Sequence, residues 1–533
     1  MLNTEQQELQ NELISFVNGS KNGFFGVVGA GGTGKTFTIC QSINVDEAIF
    51  LGATNKVVGN IRNTLKNNGF VDVKSKTVDS FLSFKIVKDH NNRTITKRKL
   101  PKLENIPKII VIDEISLINN ECFEYLMKLK NKRKFILIGD NRQIPPIEDD
   151  FERDSQGFKV SKIFNQLDYT FELTIQQRQK NGTELFDLIK KFRENMHLNI
   201  NFEKMVEKYK NDSDILFYNN NDKKLKEIIR GENPIAVCFK NLTCLSFNWL
   251  IGSTKTNNKG YKVNNLNVGD VVFFDGFYQR GEERFYTSET VKIIEIDDKV
   301  DDEMLIEGSD KVVNFNYKMI RVQKESGVQT IIYVGNGYKE TLQPIKYRID
   351  YVINKLKKDI ERIQSGSKYK FVLQKKIAEL NTKYNDLKLG FATLKKPFAI
   401  TSHKSQGSTF KDVIIPIYDY ANKYPQDVNQ LMYVAMSRAN TRIIFVNKNS
   451  NFKDNSNRYS FSEMERSAIA SSQYYKCNVC EIELNDNREF DVDHIIPIAN
   501  GGKNTLDNLQ AICKKCHSEK TRIEKYGLQE IND

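Results

Sequence analysis

No stretch of this sequence approaches the roughly 18 consecutive apolar residues that a membrane-spanning helix requires. The opening MLNTEQQELQNEL has neither the basic flank nor the apolar centre of an export signal. No internal repeat is evident, and disorder is not the expectation, because Ile, Leu, Val and Phe are plentiful enough to bury real cores. The expected setting is therefore cytoplasmic, with no membrane partner. A disulfide framework is also missing. Of the eight cysteines, Cys477, Cys480, Cys513 and Cys516 form two C-x-x-C pairs near the end, a spacing that suits zinc. Cys40, Cys122, Cys238 and Cys244 lie in apolar surroundings and are expected to pack as small hydrophobes.

What is present is length and positive charge. At 533 residues the chain exceeds one ordinary core, so three or more domains are expected. A formal net charge of +12 points to a polyanionic partner, since Lys and Arg that neutralise phosphates gain affinity by releasing counterions.

"FFGVVGAGGTGKTFTICQSI" reads as strand, Gly-rich turn and helix. "IPKIIVIDE" and "KRKFILIGD" each end in acidic residues, as buried parallel strands do when they deliver polar groups to the carboxyl edge of a doubly wound α/β sheet. A second set of such elements begins at "ENPIAVCFKN" and resumes at "PFAITSHKSQGSTFKDVIIPIY" and "RIIFVNKN". Between them, "NVGDVVFFDGFYQRGEERFYTSETVKIIEIDD" alternates apolar and polar residues, the pattern of a small antiparallel barrel or sheet. Two charged helices broken at "SGSK" follow, and residues 449–473 turn polar, with a short helix-like patch at "SEMERSAIA", the composition of a linker.

Within the Gly-rich turn, residues 29–36 fit G-x-x-x-x-G-K-[ST] in its strand-to-helix context. Gly29, Gly31, Gly32, Thr33 and Gly34 would turn backbone N–H groups toward phosphates at a helix N-terminus. Lys35 would reach the β- and γ-phosphates of ATP and Thr36 would ligate Mg²⁺. Asp113 would hold the Mg²⁺ shell and Glu114 would orient or deprotonate the attacking water. These two motifs imply nucleotide hydrolysis while leaving kinase, switch, pump and motor open.

The order of the remaining motifs over residues 1–448 resembles superfamily 1 helicases, most closely the Dda-type phage helicases of the 5′-to-3′ subgroup. That resemblance implies two RecA-like P-loop parallel-sheet domains acting on single-stranded and forked DNA. "LNTEQQ" looks like the family's adenine-reading element, with Gln7 as reader. "GATNK" (Thr54, Lys56) and "KTVDSFL" (Thr77) resemble elements that touch the strand, although Asp79 stands where a His is common. "GDNRQIPPI" implies Gln143 as a γ-phosphate sensor. "LTIQQRQ" and "QLMYVAMSRA" place Arg178 and Arg438 as arginines that reach the γ-phosphate from the second domain, stabilising transition-state charge only in a closed cleft. "TSHKSQGSTF" places Thr401, Ser402, His403 and Lys404 on the DNA backbone and Gln406 and Gly407 in nucleotide coupling. The hairpin 84–99 sits where the family inserts a strand-separating pin, and residues 262–320 resemble its SH3-like accessory domain. The motor is expected to be monomeric, with single-stranded-DNA-binding or replication and recombination proteins as possible partners.

The tail is not basic: residues 474–533 hold 8 Lys and Arg against 11 Asp and Glu. Its four cysteines would form a tetrahedral structural Zn²⁺ site that staples a small domain with few apolar positions. "DVDHIIP", "GGKNTLDNLQAICKKCH" and "SEKT" resemble the HNH nuclease module, with its ββα-metal fold. The resemblance implies that Asp493 and His517 hold a divalent ion such as Mg²⁺ or Mn²⁺, that His494 activates water, and that Asn508 orients the His loop rather than ligating. An imidazole near its working pKa suits that task.

The expected organisation is a first RecA-like domain over 1–168, a second over 169–258 and 392–448, an accessory domain of SH3-like barrel and helical tower over 259–391, a linker over 449–473 and an HNH domain over 474–527. The expected function is an ATP-dependent 5′-to-3′ DNA helicase fused to an endonuclease. A translocase with a purely structural zinc tail, and a nuclease to which the motor only delivers substrate, are the other readings.

Overall fold

The computed structural model describes residues 2–70, 72–88, 94–146, 152–175, 183–198, 208–209, 212–285, 289–324, 327–335, 338–363, 368–420, 425–447, 461–484 and 489–526. The first helix, α1 (Thr4–Asn18), starts on a reciprocal cap: the Asn3 side chain accepts from the Gln6 N–H, and the Gln6 side chain accepts from the Asn3 N–H. Two N–H groups that a helix start leaves without partners are thereby satisfied. There follow β1 (Gly23–Gly29), α2 (Lys35–Cys40), β2 (Ala48–Gly52), α3 (Asn55–Asn67), β3 (Ser75–Thr77), β4 (Ile109–Asp113), β5 (Lys134–Gly139) and β6 (Tyr169–Leu173). They build a six-stranded parallel sheet in the order β6-β1-β5-β4-β2-β3. Phe25 and Val27 of β1 pack with Leu9 and Leu13 on one face, while Phe24 packs with Ile110 and Phe135 on the other. Burial of both faces is why these strands read as unbroken apolar runs rather than as alternation.

The chain next forms α4 (Glu184–Asn195), β7 (Ile215–Asn219), β8 (Ile235–Cys238) and α5 (Asn241–Thr256), then leaves for an insertion. The insertion contains β9 (Val271–Phe274), the long pair β10 (Thr290–Leu305) and β11 (Val312–Gln323), β12 (Gln329–Gly335), and the helices α6 (Gln343–Glu361) and α7 (Lys368–Leu389). Its antiparallel sheet runs β12-β11-β10-β9 and ends on Leu394–Lys395. One end of β10 and β11 contributes Ile293, Ile320 and Val322 to one core, with Val272 and Phe274 of β9. The other contributes Val313, Phe315 and Tyr317, which pack on Ile345, Ile349 and Val352 of α6 and on Ile377 and Leu380 of α7. The expected break between the two helices, 364–367, lies outside the described residues.

The second sheet resumes with β13 (Ala399–Thr401), β14 (Phe410–Pro416), α8 (Pro425–Met436) and β15 (Ala439–Asn447). Its five parallel strands run β7-β15-β14-β8-β13. Val413, Ile415, Ile443 and Phe445 face α4 and α8, whereas Ile414, Ile444 and Val446 face α5, so strand parity again sorts the two cores. The last elements are α9 (Glu463–Ser472), β16 (Phe490–His494), β17 (Leu509–Cys513) and α10 (Lys514–Tyr526), with β16 and β17 paired antiparallel.

Two compact units result. One comprises 1–82, 100–265 and 398–533, and the other comprises 83–99 and 266–397. In the second unit the expected pin is an antiparallel hairpin of Lys85–Lys88 and Thr94–Lys97, whose tip lies outside the described residues.

The segment expected as a linker departs from expectation. Residues 448–460 lie outside the described ones, but Glu463–Ser472 is a capped helix built into the tail. Ile469 and Ala470 join Leu484, Phe490 and Ile512 in one core, with Leu242 and Leu245 of α5 packed against it. Ser471 Oγ donates to the Tyr261 carbonyl at 2.6 Å, and Trp249 Nε1 donates to Tyr475 Oη at 3.0 Å. Polar composition suggested a tether because its apolar positions are few, yet Glu465, Ser467 and Ser471 are buried along with Ala468, Ile469 and Ala470.

Candidate functional site

At the carboxyl edge of the first sheet, β1 runs into the phosphate loop and β4 ends at Asp113. Gly29 has no side-chain alternative, because a Cβ there would lie 2.3 Å from the Leu173 carbonyl oxygen. Lys35 Nζ donates to the carbonyls of Gly29 at 2.8 Å and Ala30 at 2.7 Å, and Thr33 Oγ1 closes the loop on Ala30 O at 3.1 Å. Thr36 Oγ1 donates to Asp113 Oδ2 at 2.8 Å, bringing together the hydroxyl and carboxylate that suit a hard divalent cation. Glu114 adopts the left-handed backbone region, φ 56°, a conformation that non-glycine residues hold only where their surroundings enforce it. Burial pushes the carboxyls of Asp113 and Glu114 above the usual range, and the neighbouring Asp113 charge pushes Glu114 further.

The two adjacent glutamines of LNTEQQ part ways. Gln7 is exposed and donates to Leu2 O at 3.1 Å. Gln6 is buried, donates to Thr33 O at 3.2 Å, and reaches so near Gly34 that a Cβ there would lie 2.5 Å from Gln6 Nε2. Helical periodicity explains the difference, since Gln6, Leu9 and Leu13 share the inward face of α1. The glutamine against the loop is therefore Gln6, not Gln7.

A polar seam joins the first sheet to the second. Asp140, which follows β5 and is 1% exposed, accepts from Tyr433 Oη at 2.8 Å and Arg193 Nη2 at 3.3 Å. Gln406 Nε2 donates to Ile144 O at 2.9 Å and approaches Gln143 Oε1 at 3.4 Å, while Gln430 Nε2 donates to Gln143 O at 3.3 Å. Asn60 Nδ2 of α3 donates to Gly407 O at 2.7 Å. Arg438 is buried, its guanidinium held by Val434 O, Ser408 O and Ser437 Oγ. Burial opposes its charge, and the Glu114 carboxylate is the strongest support for it. Gln143, Gln406, Gly407 and Arg438 thus come together, whereas Arg178 lies outside the described residues.

Among the residues expected on DNA, Thr54, Thr77 and Thr401 are helix N-caps, accepting from the N–H groups of Val57, Ser80 and Lys404. Lys56 lies over the Phe410 ring at 5.9 Å, and Lys404 is exposed. His403 is half-buried, and burial, with Lys159 adding to it, pushes its pKa down. Ser402 must be corrected: its side chain is wholly buried, with Oγ on Cys238 O at 3.3 Å and Tyr420 Oη at 2.9 Å, so it holds the motif in place and offers no surface to a strand.

In the tail, the Sγ atoms of Cys477, Cys480, Cys513 and Cys516 all lie within 4.8 Å of one another, the one such cluster of three or more His, Cys, Asp or Glu donors among the described residues. Burial works against charge on Cys477, but backbone N–H groups, led by that of Cys480, bring its thiol down to about 6; burial and the neighbouring sulfurs push Cys516 up to about 12. Four crowded sulfurs of which one already favours the thiolate fit a tetrahedral thiophilic cation.

Beside them, β16 presents Asp491 and Asp493 on one face and α10 presents His517 and Lys520. His517 Nδ1 meets Asp491 Oδ2 at 2.9 Å, leaving Nε2 4.0 Å from Asp493 Oδ1. Donors about 2 Å from one ion stand roughly 3 Å apart when adjacent in its shell and about 4 Å apart only when opposite, so this pair lies at the outer limit for sharing one cation, with Asp491 orienting the imidazole from behind. Lys520 Nζ donates to Asp493 Oδ2 at 2.5 Å and also to His494 O. His494 Nε2 pairs with Asn504 Oδ1 at 3.1 Å. Asn508 accepts from Ile496 N at 2.8 Å and donates to Ile496 O and Lys503 O, both at 2.9 Å, fastening the loop that follows His494.

Sequence reasoning missed Gln6, Asp140, Arg193, Tyr433, Asp491, Asn504 and Lys520. Asp491 was within reach, since strand alternation puts it on the face of Asp493; Arg193 lies in no recognisable motif.

Residues 1–209 match the model for PIF1-like helicases, 397–446 that for the UvrD-like helicase C-terminal domain, and 477–522 that for HNH endonucleases. An uncharacterised protein of Acanthamoeba polyphaga mimivirus is 25% identical over 506 residues, covering 84% of this chain and all of that one. Among solved structures, Pif1 helicase from Bacteroides in complex with ADP-AlF3 and ssDNA is 16% identical with a TM-score of 0.45, covering 84% of this chain and 92% of that one. Pif1 helicase from Candida albicans is also 16% identical, with a TM-score of 0.42 and coverages of 84% and 95%.

The two glutamines give a direct check. Gln6→Ala is predicted to weaken binding of a fluorescent adenine nucleotide by roughly tenfold, the scale of one to two hydrogen bonds, and Gln7→Ala to leave it unchanged. The reverse ranking would restore Gln7.

Proposed function

The chain carries a PIF1-like helicase domain, a UvrD-like helicase C-terminal domain and an HNH endonuclease domain, and from that premise we propose an ATP-driven DNA motor that moves 5′-to-3′ along a single strand, opens forked duplex and cuts DNA with its tail. The observation that carries the motor is the seam, in which Gln143, Gln406 and Arg438 of two sheets meet around the carboxyl edge that holds Lys35, Thr36 and Glu114.

In this reading Lys35 exchanges its loop carbonyls for the β- and γ-phosphates of ATP. Thr36 and Asp113 would hold Mg²⁺, which supplies charge neutralisation between the phosphates. Glu114 orients or deprotonates the attacking water, its carboxyl held above the usual range by burial and by the neighbouring Asp113. Arg438, with Arg178, stabilises charge on the transferred phosphoryl from the second sheet, so hydrolysis and approach of the sheets are one event. Gln143 and Gln406 transmit it across the seam. Thr54 and Thr77 cap helices through oxygen lone pairs and keep their O–H groups for a DNA phosphate; Lys56, His403 and Lys404 complete the track. That a Bacteroides Pif1 is solved with ssDNA supports the substrate class. The hairpin 84–99 is the candidate pin.

For the tail, Asp493 and His517 would hold the divalent ion, which supplies Lewis acidity at the scissile phosphate. His494 accepts the proton of the attacking water, and Asn508 fixes the loop that carries it. The zinc-type cluster holds β17 and α10 in register. A second reading, in which the tail is structural only, is favoured by one observation: Lys520 on Asp493 and Asn504 on His494 already engage the groups that would cut.

Lys35→Ala is predicted to abolish DNA-stimulated ATP hydrolysis with the fold retained, and forks bearing one tail should be opened from a 5′ tail. Retained hydrolysis, or opening from a 3′ tail alone, contradicts the motor and its polarity respectively. For the nuclease, a supercoiled plasmid with Mg²⁺ or Mn²⁺ should be nicked by the intact chain and at least a hundredfold more slowly by His494→Ala, in line with loss of a general base. Equal nicking by both, or none by either, leaves only the structural reading.

A further inference from the structure

The positive charge of the chain is concentrated where no motif lies. Residues 343–389, the α6 and α7 hairpin, hold 12 Lys and Arg against 5 Asp and Glu, an excess of seven within a chain whose total excess is twelve. The sheet-forming stretch before it, 266–342, has 9 against 15, so the charge belongs to the helices and not to the insertion as a whole.

The same helices expose aromatic rings. Ile345, Ile349, Val352 and Ile353 turn α6 inward. Tyr347 and Tyr351 are two residues beyond Ile345 and Ile349, about 200° round the helix, and are 75% and 51% exposed. Arg348 lies over the Tyr351 ring at 5.4 Å, and the exposed Lys355 and Lys358 continue the outward face. On α7, Phe371 is 70% exposed, two residues from the inward Leu373. Solvated charged helices do not need bare Tyr and Phe. Stacking platforms for unpaired bases need both rings and cations.

We propose that the outward face of this hairpin binds the single DNA strand displaced by the motor, with Tyr347 and Tyr351 stacking on successive bases and Lys355 and Lys358 following the phosphates. The inference rests on the reading of the chain as a DNA motor. Spacing favours a single strand over duplex: two rings one helical turn apart are separated by about 6 Å along the axis, too far for neighbouring bases of a stacked duplex at about 3.4 Å but suited to an extended strand whose bases alternate with the rings. The hairpin 83–99 belongs to the same compact unit, so the candidate strand separator and this track are parts of one body.

The test uses the full chain and a fork whose displaced arm is oligo(dT) with one 2-aminopurine, alongside the same fork with an abasic arm or a duplex arm. Tyr347→Ala with Tyr351→Ala is predicted to weaken binding of the oligo(dT) arm about tenfold and to relieve the 2-aminopurine quenching, while leaving the abasic and duplex arms unchanged. Lys355→Glu with Lys358→Glu should weaken oligo(dT) and abasic arms alike, the charge part of the same track. Stimulation of ATP hydrolysis by a plain single strand should survive both pairs. Equal loss on all three arms from the tyrosine pair would replace stacking with a charge-only duplex face, and no loss would assign the face to a protein; either overturns the proposal. If the wild-type chain shows no DNA-stimulated hydrolysis, the motor reading fails and the displaced strand fails with it, an outcome distinct from a working motor with an indifferent hairpin.

Discussion

Much of the first unit hangs on one buried carboxylate. Asp140 leaves the end of β5 and is taken up by Tyr433 and Arg193, both from the second sheet's side of the molecule. A buried charge left without partners is severely unfavourable, so the two sheets are held where those partners reach it. Hydrogen bonds to a charged group contribute about 1.5–3 kcal/mol each, against neutral contacts such as Gln406 on Ile144 O at about 1 kcal/mol. The carboxylate fixes the approach of the sheets, and the glutamines set its detail. Because Arg438 stands in the field of Glu114, the same approach that satisfies Asp140 delivers an arginine to the phosphate loop.

The second consequence of rigid mounting is at the tail. A domain attached by a polar tether would wander over a large volume, but α9 is buried between α5 and the β16-β17 hairpin and is pinned by Trp249 on Tyr475 and Ser471 on Tyr261. The HNH domain therefore travels with the second sheet. Its acidic balance, which would repel DNA on its own, is consistent with a cutter positioned by a motor rather than one that captures substrate itself. Within it, Asp491 holds His517 and Asn508 fastens the loop after His494, so both imidazoles are mounted on fixed supports.

The sequence made the phosphate loop, the strand-end Asp113 and Glu114, and the zinc-type cysteines legible because each is a local pattern whose chemistry requires contiguity or fixed spacing. The parallel sheets were legible because burial on both faces leaves unbroken apolar runs. What failed to show was set by tertiary contact. Gln6 and Gln7 are chemically identical neighbours, and only the inward face of α1 decides between them. Ser402 sits inside a DNA-contacting pattern yet points into the core, where Tyr420 completes it. Arg193 lies 53 positions from the carboxylate it supports, so no spacing rule reaches it. The helix-like patch in the polar stretch 449–473 was legible, but its docking was not, since Glu465, Ser467 and Ser471 are buried beside Ile469 and Ala470 and a helix that buries polar residues reads as exposed.

The most direct test of the seam is a double-mutant cycle on the maximal rate of DNA-stimulated ATP hydrolysis, using Asp140→Asn, Tyr433→Phe and the pair. If the sheets act through this contact, each single change slows hydrolysis at saturating ATP, and the pair is no slower than the worse single change. Losses that simply multiply would show that the two residues act independently and that the seam does not couple the sheets to the chemistry.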